Sequence, residues 1–124
     1  NEARSEVKVP PLQWSEKLEA QARKWAGMLI NLKWLVHNPN SPYGENLLLT
    51  DMRFTPAMVV ATWASESRYY DYLTNSCSGE CAHYTQIVWR ETQKVGCAVA
   101  SHGRWDVWVC NYDPPGNYMG EHPY

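Results

Sequence analysis

Phenylalanine is almost missing from this sequence, with one Phe in 124 residues against seven Trp and eight Tyr. Nearly every aromatic side chain therefore ends in a polar group that needs a partner when buried. A purely apolar aromatic core is excluded. What remains is a core laced with side-chain hydrogen bonds, or an aromatic groove that takes a ligand. Excess charge is lacking too: eleven Lys and Arg face thirteen Asp and Glu, for a formal net charge of −2. The overall electrostatics thus give no attraction to nucleic acid or to an anionic membrane. Long apolar runs are also absent. The longest stretch without a charged side chain, Phe54 to Ser65, is short of the roughly 17 to 25 residues that a transmembrane segment needs. The start at Asn1 is polar and of mixed charge, so any apolar export signal is expected to have been removed. There is no repeat, low-complexity run or linker, and the length suits a single domain over residues 1–124, expected to be a monomer.

Cysteine is sparse: Cys77, Cys81, Cys97 and Cys110 allow three disulfide pairings or one zinc site. Zinc ligands usually come in close pairs, which Cys97 and Cys110 are not. Val95 to Ala100 and Trp105 to Tyr112 are rich in β-branched and aromatic residues and flank Ser101-His102-Gly103-Arg104. A two-residue type II′ turn at Gly103-Arg104, with Gly at positive φ, predicts a hairpin. Its register sets Cys97 opposite Cys110, Val99 opposite Trp108 and Val95 opposite Tyr112. That cross-strand cysteine pair lies within bonding reach, which leaves Cys77 and Cys81 to close a small loop through Gly79. Two disulfides imply an oxidising, extracellular compartment.

Leu18, Ala22, Trp25, Leu29 and Leu32 recur at spacings of four and three, the stripe of an amphipathic helix, with Ser15 as its N-cap. His37 to Gly44, with its prolines and asparagines, reads as a loop, and Glu45 to Leu49 as a short strand. Thr55-Pro56 starts a second helix that presents Val59, Trp63 and Glu66 on one face. His83 to Arg90 fits a strand or a helix equally. Asp113-Pro114-Pro115-Gly116 ends the last strand. This order predicts an α+β fold with a mainly antiparallel sheet covered by helices.

His37 and His83 each border a loop and have a carboxylate to hand, Glu45 and Glu66. Two His with two Glu can bind a divalent metal or act as an acid/base pair. They can equally be structural hydrogen-bonding groups under the loops, because no H-E-x-x-H spacing joins them. His102 and His122 read as solvated. No G-x-S-x-G elbow, phosphate loop or dinucleotide fingerprint occurs.

Pro42-Tyr43-Gly44-Glu45-Asn46-Leu47, Trp63-Ala64-Ser65-Glu66, Cys81-Ala82-His83-Tyr84-Thr85-Gln86-Ile87-Val88-Trp89, Val95-Gly96-Cys97 and Cys110-Asn111-Tyr112-Asp113-Pro114-Pro115-Gly116-Asn117-Tyr118 resemble the successive signatures of the CAP superfamily. The likeness is to its plant pathogenesis-related protein 1 type and covers nearly the whole chain. Asn1-Glu2-Ala3-Arg4 is similar to the start of that family's first helix. The resemblance implies a three-layer α-β-α sandwich and makes the His83 block helical. It matches His37, Glu45, Glu66 and His83 to the residues lining the family's cleft, where His37 and His83 would hold zinc or another divalent cation. Lys33 and Ser101 stand where many plant relatives have one further cysteine pair. Pro114–Tyr124 is similar to a segment that plants release as a signalling peptide read by a receptor; its other reading is a structural anchor.

The function this implies is a secreted, apoplastic, antifungal defence protein that binds sterols or other lipids of a pathogen and requires no cofactor. Tyr69, Tyr70 and Tyr72 beside the Cys77 loop are the lipid-binding candidates, or else a packed loop. The alternative is a metal-dependent hydrolase with His37 and His83 as ligands and Glu45 or Glu66 as general base. The resemblance by itself does not make the chain an enzyme.

Overall fold

Turn chemistry sets the centre of the fold. In the computed structural model, which describes residues 1–32 and 34–124, Gly103 takes a φ of 61° and Arg104 is not among the residues of positive φ, the combination a type II′ turn requires. In chain order the elements are α1 (Glu2–Glu6), β1 (Gln13–Trp14), α2 (Glu16–Leu32), β2 (Gly44–Thr50), α3 (Pro56–Ala64) with a 3₁₀ turn over Ser65–Tyr69, β3 (Tyr70–Asp71), β4 (Ser76–Cys77), α4 (Ala82–Ile87), β5 (Lys94–His102) and β6 (Trp105–Asp113). β5 and β6 pair with Cys97 opposite Cys110, Val99 opposite Trp108 and Val95 opposite Tyr112, the register the turn predicts. Cys97 is bonded to Cys110 and Cys77 to Cys81, and no cysteine is free. Zinc ligation by the thiols is thereby set aside.

The main sheet runs β1-β5-β6-β2, antiparallel except for the short parallel pairing of β1 with β5. Alternate residues of the strands serve opposite faces. Leu47, Ala98, Val107 and Val109 meet Ala22, Ala26, Leu29 and Ile30 of α2. On the other face Trp108, Cys110 and Tyr112 meet Val59 and Trp63 of α3 and Tyr84 and Ile87 of α4, with Ala3 and Val7 at the margin. The result is a three-layer α-β-α sandwich of the α+β class. Gly96 permits a close approach of the start of α2 to β5, because a Cβ there would lie 2.6 Å from the Ser15 carbonyl oxygen.

Both helix starts form as the sequence indicates. Ser15 Oγ accepts the Leu18 N–H at 3.2 Å, and Thr55 Oγ1 accepts the Met58 N–H at 3.2 Å. The ambiguous His83–Arg90 segment is helical as far as Ile87, and Val88 to Arg90 lie beyond the helix. The stripe of α2 differs in detail. Ala26 and Ile30 are buried, whereas Trp25 is half-buried and Leu32, in the last turn, is exposed. Trp25 sits at the core's margin because its indole N–H reaches the Val36 carbonyl oxygen, 3.0 Å away. The two-stranded ribbon of β3 and β4 was not expected; two-residue strands leave no periodic signal. Lys33, at one of the absent cysteine positions, lies outside the described residues. Ser101, at the other, donates to Asp106 Oδ1 at 2.6 Å.

The aromatic question resolves unevenly. Trp63, Tyr84, Trp89, Trp108 and Tyr112 are buried, and Trp105 is half-buried. Yet the indole N–H groups of Trp63 and Trp108 have no partner among the described residues. The partnered indoles include Trp14 and Trp25, which keep contact with solvent.

Candidate functional site

Two histidine–carboxylate pairs form on neighbouring elements. The loop after α2 presents His37, whose Nδ1 lies 2.8 Å from Glu45 Oε1 on β2. The same oxygen accepts the Asn38 N–H at 3.1 Å. Glu45 Oε2 is buried and has no hydrogen-bond partner among the described residues. The pair is lopsided: the His37 side chain is 72% exposed and that of Glu45 only 6%.

The second pair is built at the start of α4. Glu66, in the 3₁₀ turn after α3, accepts the N–H groups of His83 at 3.0 Å and Tyr84 at 3.1 Å through Oε1. Its Oε2 lies 2.7 Å from His83 Nδ1. One carboxylate thus satisfies two of the N–H groups that a helix start leaves open and fixes the histidine ring. Trp63 stacks under that ring, with centroids 5.8 Å apart and planes 11° off parallel. In both pairs a carboxylate at Nδ1 favours the proton there and leaves the Nε2 lone pair available to accept.

Asn46 links the pairs. It is buried beside Glu45 and donates from Nδ2 to the His83 carbonyl oxygen at 3.2 Å and to the Tyr112 hydroxyl at 3.1 Å. Among the described residues, the group of three whose ligand atoms lie within 4.8 Å of one another is Glu66, Glu80 and His83. His37 and Glu45 do not join it. Sequence reasoning missed Glu80, whose Oε1 accepts the Ala82 N–H at 3.1 Å, and it missed Asn46 and Gln86. For Asn46 and Gln86 the available signal was their place inside the motif blocks, where a polar residue among apolar ones is a candidate for buried hydrogen bonding; Glu80 lies just outside them, in the Cys77–Cys81 loop.

The three candidate tyrosines do not share a surface role. Tyr69 is exposed, with Arg68 over its ring at 5.0 Å. The Tyr70 hydroxyl donates to Asn75 Oδ1 at 2.8 Å, and Tyr72 stacks on Tyr124 at 5.0 Å. Burial, and then Tyr124, pushes the Tyr70 phenol up to about 12. Burial likewise raises Tyr84 and Tyr112 above the ordinary tyrosine value. These hydroxyls stay protonated at neutral pH and cannot act as bases.

The tail after β6 is strapped to the same region. Thr92 Oγ1 donates to the Pro114 carbonyl oxygen at 2.8 Å and Gln86 Oε1 accepts the Gly116 N–H at 3.0 Å. Asn117 Nδ2 donates to the Ala82 carbonyl oxygen at 2.9 Å, and the Arg90 N–H donates to that of Pro123 at 2.7 Å.

Comparison with known proteins follows the same lines. The family described as "CAP: Cysteine-rich secretory protein family" matches residues 1–112. The chain is 44% identical over 126 residues to the basic form of pathogenesis-related protein 1 of Nicotiana tabacum, covering 100% of this chain and 71% of that protein. Among solved structures, Schistosoma mansoni venom allergen-like protein 4 superposes with a TM-score of 0.83 at 27% identity, covering 99% of this chain and 86% of that one. NaASP2 with Zn2+ does so with a TM-score of 0.72 at 27% identity, covering 94% and 67% respectively.

Proposed function

The chain belongs to the CAP, or cysteine-rich secretory protein, family, and from that premise we propose that it is a secreted plant defence protein of the pathogenesis-related 1 type, acting in the apoplast by binding rather than catalysis. Two disulfides suit an oxidising compartment. Among the described residues no helix is long and apolar enough to cross a membrane.

Its ligand on this reading is a sterol or similar lipid. The observation that carries it is a groove of about 700 Å³ between α1 and α3, floored by Ala3, Ala57, Val60, Ala61, Ala64 and Ile87, with Glu2 and Glu6 on the rim. Small apolar side chains leave room for a flat apolar ligand, and the carboxylates offer its hydroxyl a partner. Ala61→Trp fills the groove from an exposed position. It should weaken binding of labelled ergosterol at least tenfold, while Tyr72→Ala leaves it unchanged. The reverse pattern would move the site to the tyrosines, and no saturable binding in the parent protein would end the lipid reading.

The cleft is proposed to take zinc or another divalent cation, with His37 and His83 as ligands through Nε2. The unpartnered Glu45 Oε2 and the carboxylate behind each imidazole suit a cation's surroundings. Zinc bound there would supply Lewis acidity.

The tail is proposed as a releasable peptide beginning at Pro114. Its backbone bonds and the Tyr72–Tyr124 stack predict that cutting the chain is not enough to free it. With a protease site built in before Pro114, the cut peptide should co-elute with the domain on gel filtration and separate only in denaturant. Free peptide under native conditions would show the strapping to be weak.

A further inference from the structure

One sheet edge is left open. β1 accompanies β5 for only two residues, Gln13 opposite Lys94 and Trp14 opposite Val95, before the chain turns into α2. The last bond of that lane runs from the Ser15 N–H to the Val95 carbonyl oxygen, at 2.8 Å. Val95 therefore directs its backbone groups away from β6. By the alternation of an antiparallel ladder, so do Cys97, Val99 and Ser101, while Ala98 and Ala100 bond inward. Among the described residues, nothing pairs with the outward groups of Cys97, Val99 and Ser101. Proteins usually blunt such an edge with charge, proline or a bulge. Here Cys97-Ala98-Val99-Ala100-Ser101 carries none of these.

Beside this edge lies an apolar slot of about 350 Å³, lined by Trp14, Val59, Val60, Val99 and Trp108, with Arg23 at its mouth. Trp14 is 56% exposed, Val60 40% and Val99 38%. The slot lies on the α3 side, the side toward which alternate residues of an added strand would point. At the far end of the lane, His102 and Arg104 are exposed and basic.

We propose that the Cys97–Ser101 edge and its slot form a docking site for an extended peptide segment of a partner protein, which adds as a strand in the lane that β1 leaves. The occupant is a peptide because the lane offers alternating backbone donors and acceptors, which an extended main chain matches. The lane already holds one strand of this kind, β1. Five residues at about 3.3 Å each fix the length that pairs. Every second residue of the partner is β-branched or aromatic for the slot, and an acidic residue faces His102 and Arg104. The site shares no residue with the His–Glu pairs and adjoins the α1–α3 groove, with which it has Pro56 and Val60 in common.

The test uses the whole protein and a fluorescein-labelled, end-blocked heptapeptide of alternating Val and Thr with Asp at both ends. Saturable polarisation is expected, together with at least tenfold slower NMR amide exchange at Val99 and Ser101. Ala98 and Ala100, already in the ladder, should not change. Val99→Pro removes an outward N–H without touching the β5–β6 ladder and should weaken binding tenfold or more. Val99→Lys, which leaves every backbone bond intact, should do the same if the proline variant misfolds. No saturable binding, equal binding by both variants, or protection of Val99 and Ser101 without peptide would overturn the proposal. If that protection rises with protein concentration, the edge belongs instead to a second copy of the chain.

Discussion

The Arg4→Met protein should lose about 3–5 kcal/mol of unfolding free energy, read from urea titration followed by tryptophan fluorescence at unchanged slope. α1 has only five residues, too few to hold itself as a helix. Arg4 is 1% exposed and makes no salt bridge among the described residues. Its Nε donates to the Pro10 carbonyl oxygen at 2.6 Å. Its Nη1 reaches those of Ile87 at 2.9 Å and Trp89 at 2.8 Å, and its Nη2 those of Arg90 at 3.4 Å and Thr92 at 3.0 Å. Backbone dipoles thus take the place of water around a buried cation. Burial, and then Arg90, lower its pKa from the ordinary arginine value, but a guanidinium keeps its proton. Methionine fills similar space and leaves those carbonyls without the cation, at about 1–3 kcal/mol for each that water cannot reach. Trp89 suffers less, because its oxygen also accepts the Thr92 N–H at 3.2 Å. Arg4→Lys should recover less than half the loss, since one ammonium cannot span carbonyls on both sides of it. A methionine variant within about 1 kcal/mol of the parent would show that the carbonyls find other partners.

Arg4 also shows where sequence reasoning stops. Asn1-Glu2-Ala3-Arg4 reads as a polar, solvated helix start, and nothing local says that Arg4 points inward, because four of its five acceptors lie more than eighty residues away. The hairpin, by contrast, was legible in full: its register follows from the Gly103 turn and a period of two, both local. The helix caps at Ser15 and Thr55 were legible for the same reason. For the two His–Glu pairs, the four residue types were visible but not the division of labour. Glu66 serves two backbone N–H groups as well as a ring, a role set by how the turn after α3 meets α4. Asn46 and Gln86 stood out only as polar residues within motif blocks; the partners that give them their roles, such as Tyr112 and Gly116, are distant in sequence.

That division of labour makes Glu66→Gln the sharper test of the cleft. On the proposal that His83 binds a cation through Nε2, the variant should weaken zinc binding 10–100-fold by calorimetry, and His83→Ala should abolish it. Glutamine is nearly isosteric. Its carbonyl oxygen can accept the His83 and Tyr84 N–H groups as Glu66 Oε1 does, at 3.0 and 3.1 Å. Its amide then faces Nδ1, where Oε2 now lies at 2.7 Å. An amide there donates instead of accepting, so the ring proton moves to Nε2 and the ligating nitrogen becomes a donor. The stability cost should stay near 1 kcal/mol, the value of a negative charge at a helix start. NMR of the ring nitrogens of His83 should show the tautomer reversed before any zinc is added, which a merely structural role would not produce. Equal zinc affinity in the parent and His83→Ala would remove the cleft as the metal site. Unchanged affinity and tautomer in Glu66→Gln would remove Glu66 as the residue that positions the ring.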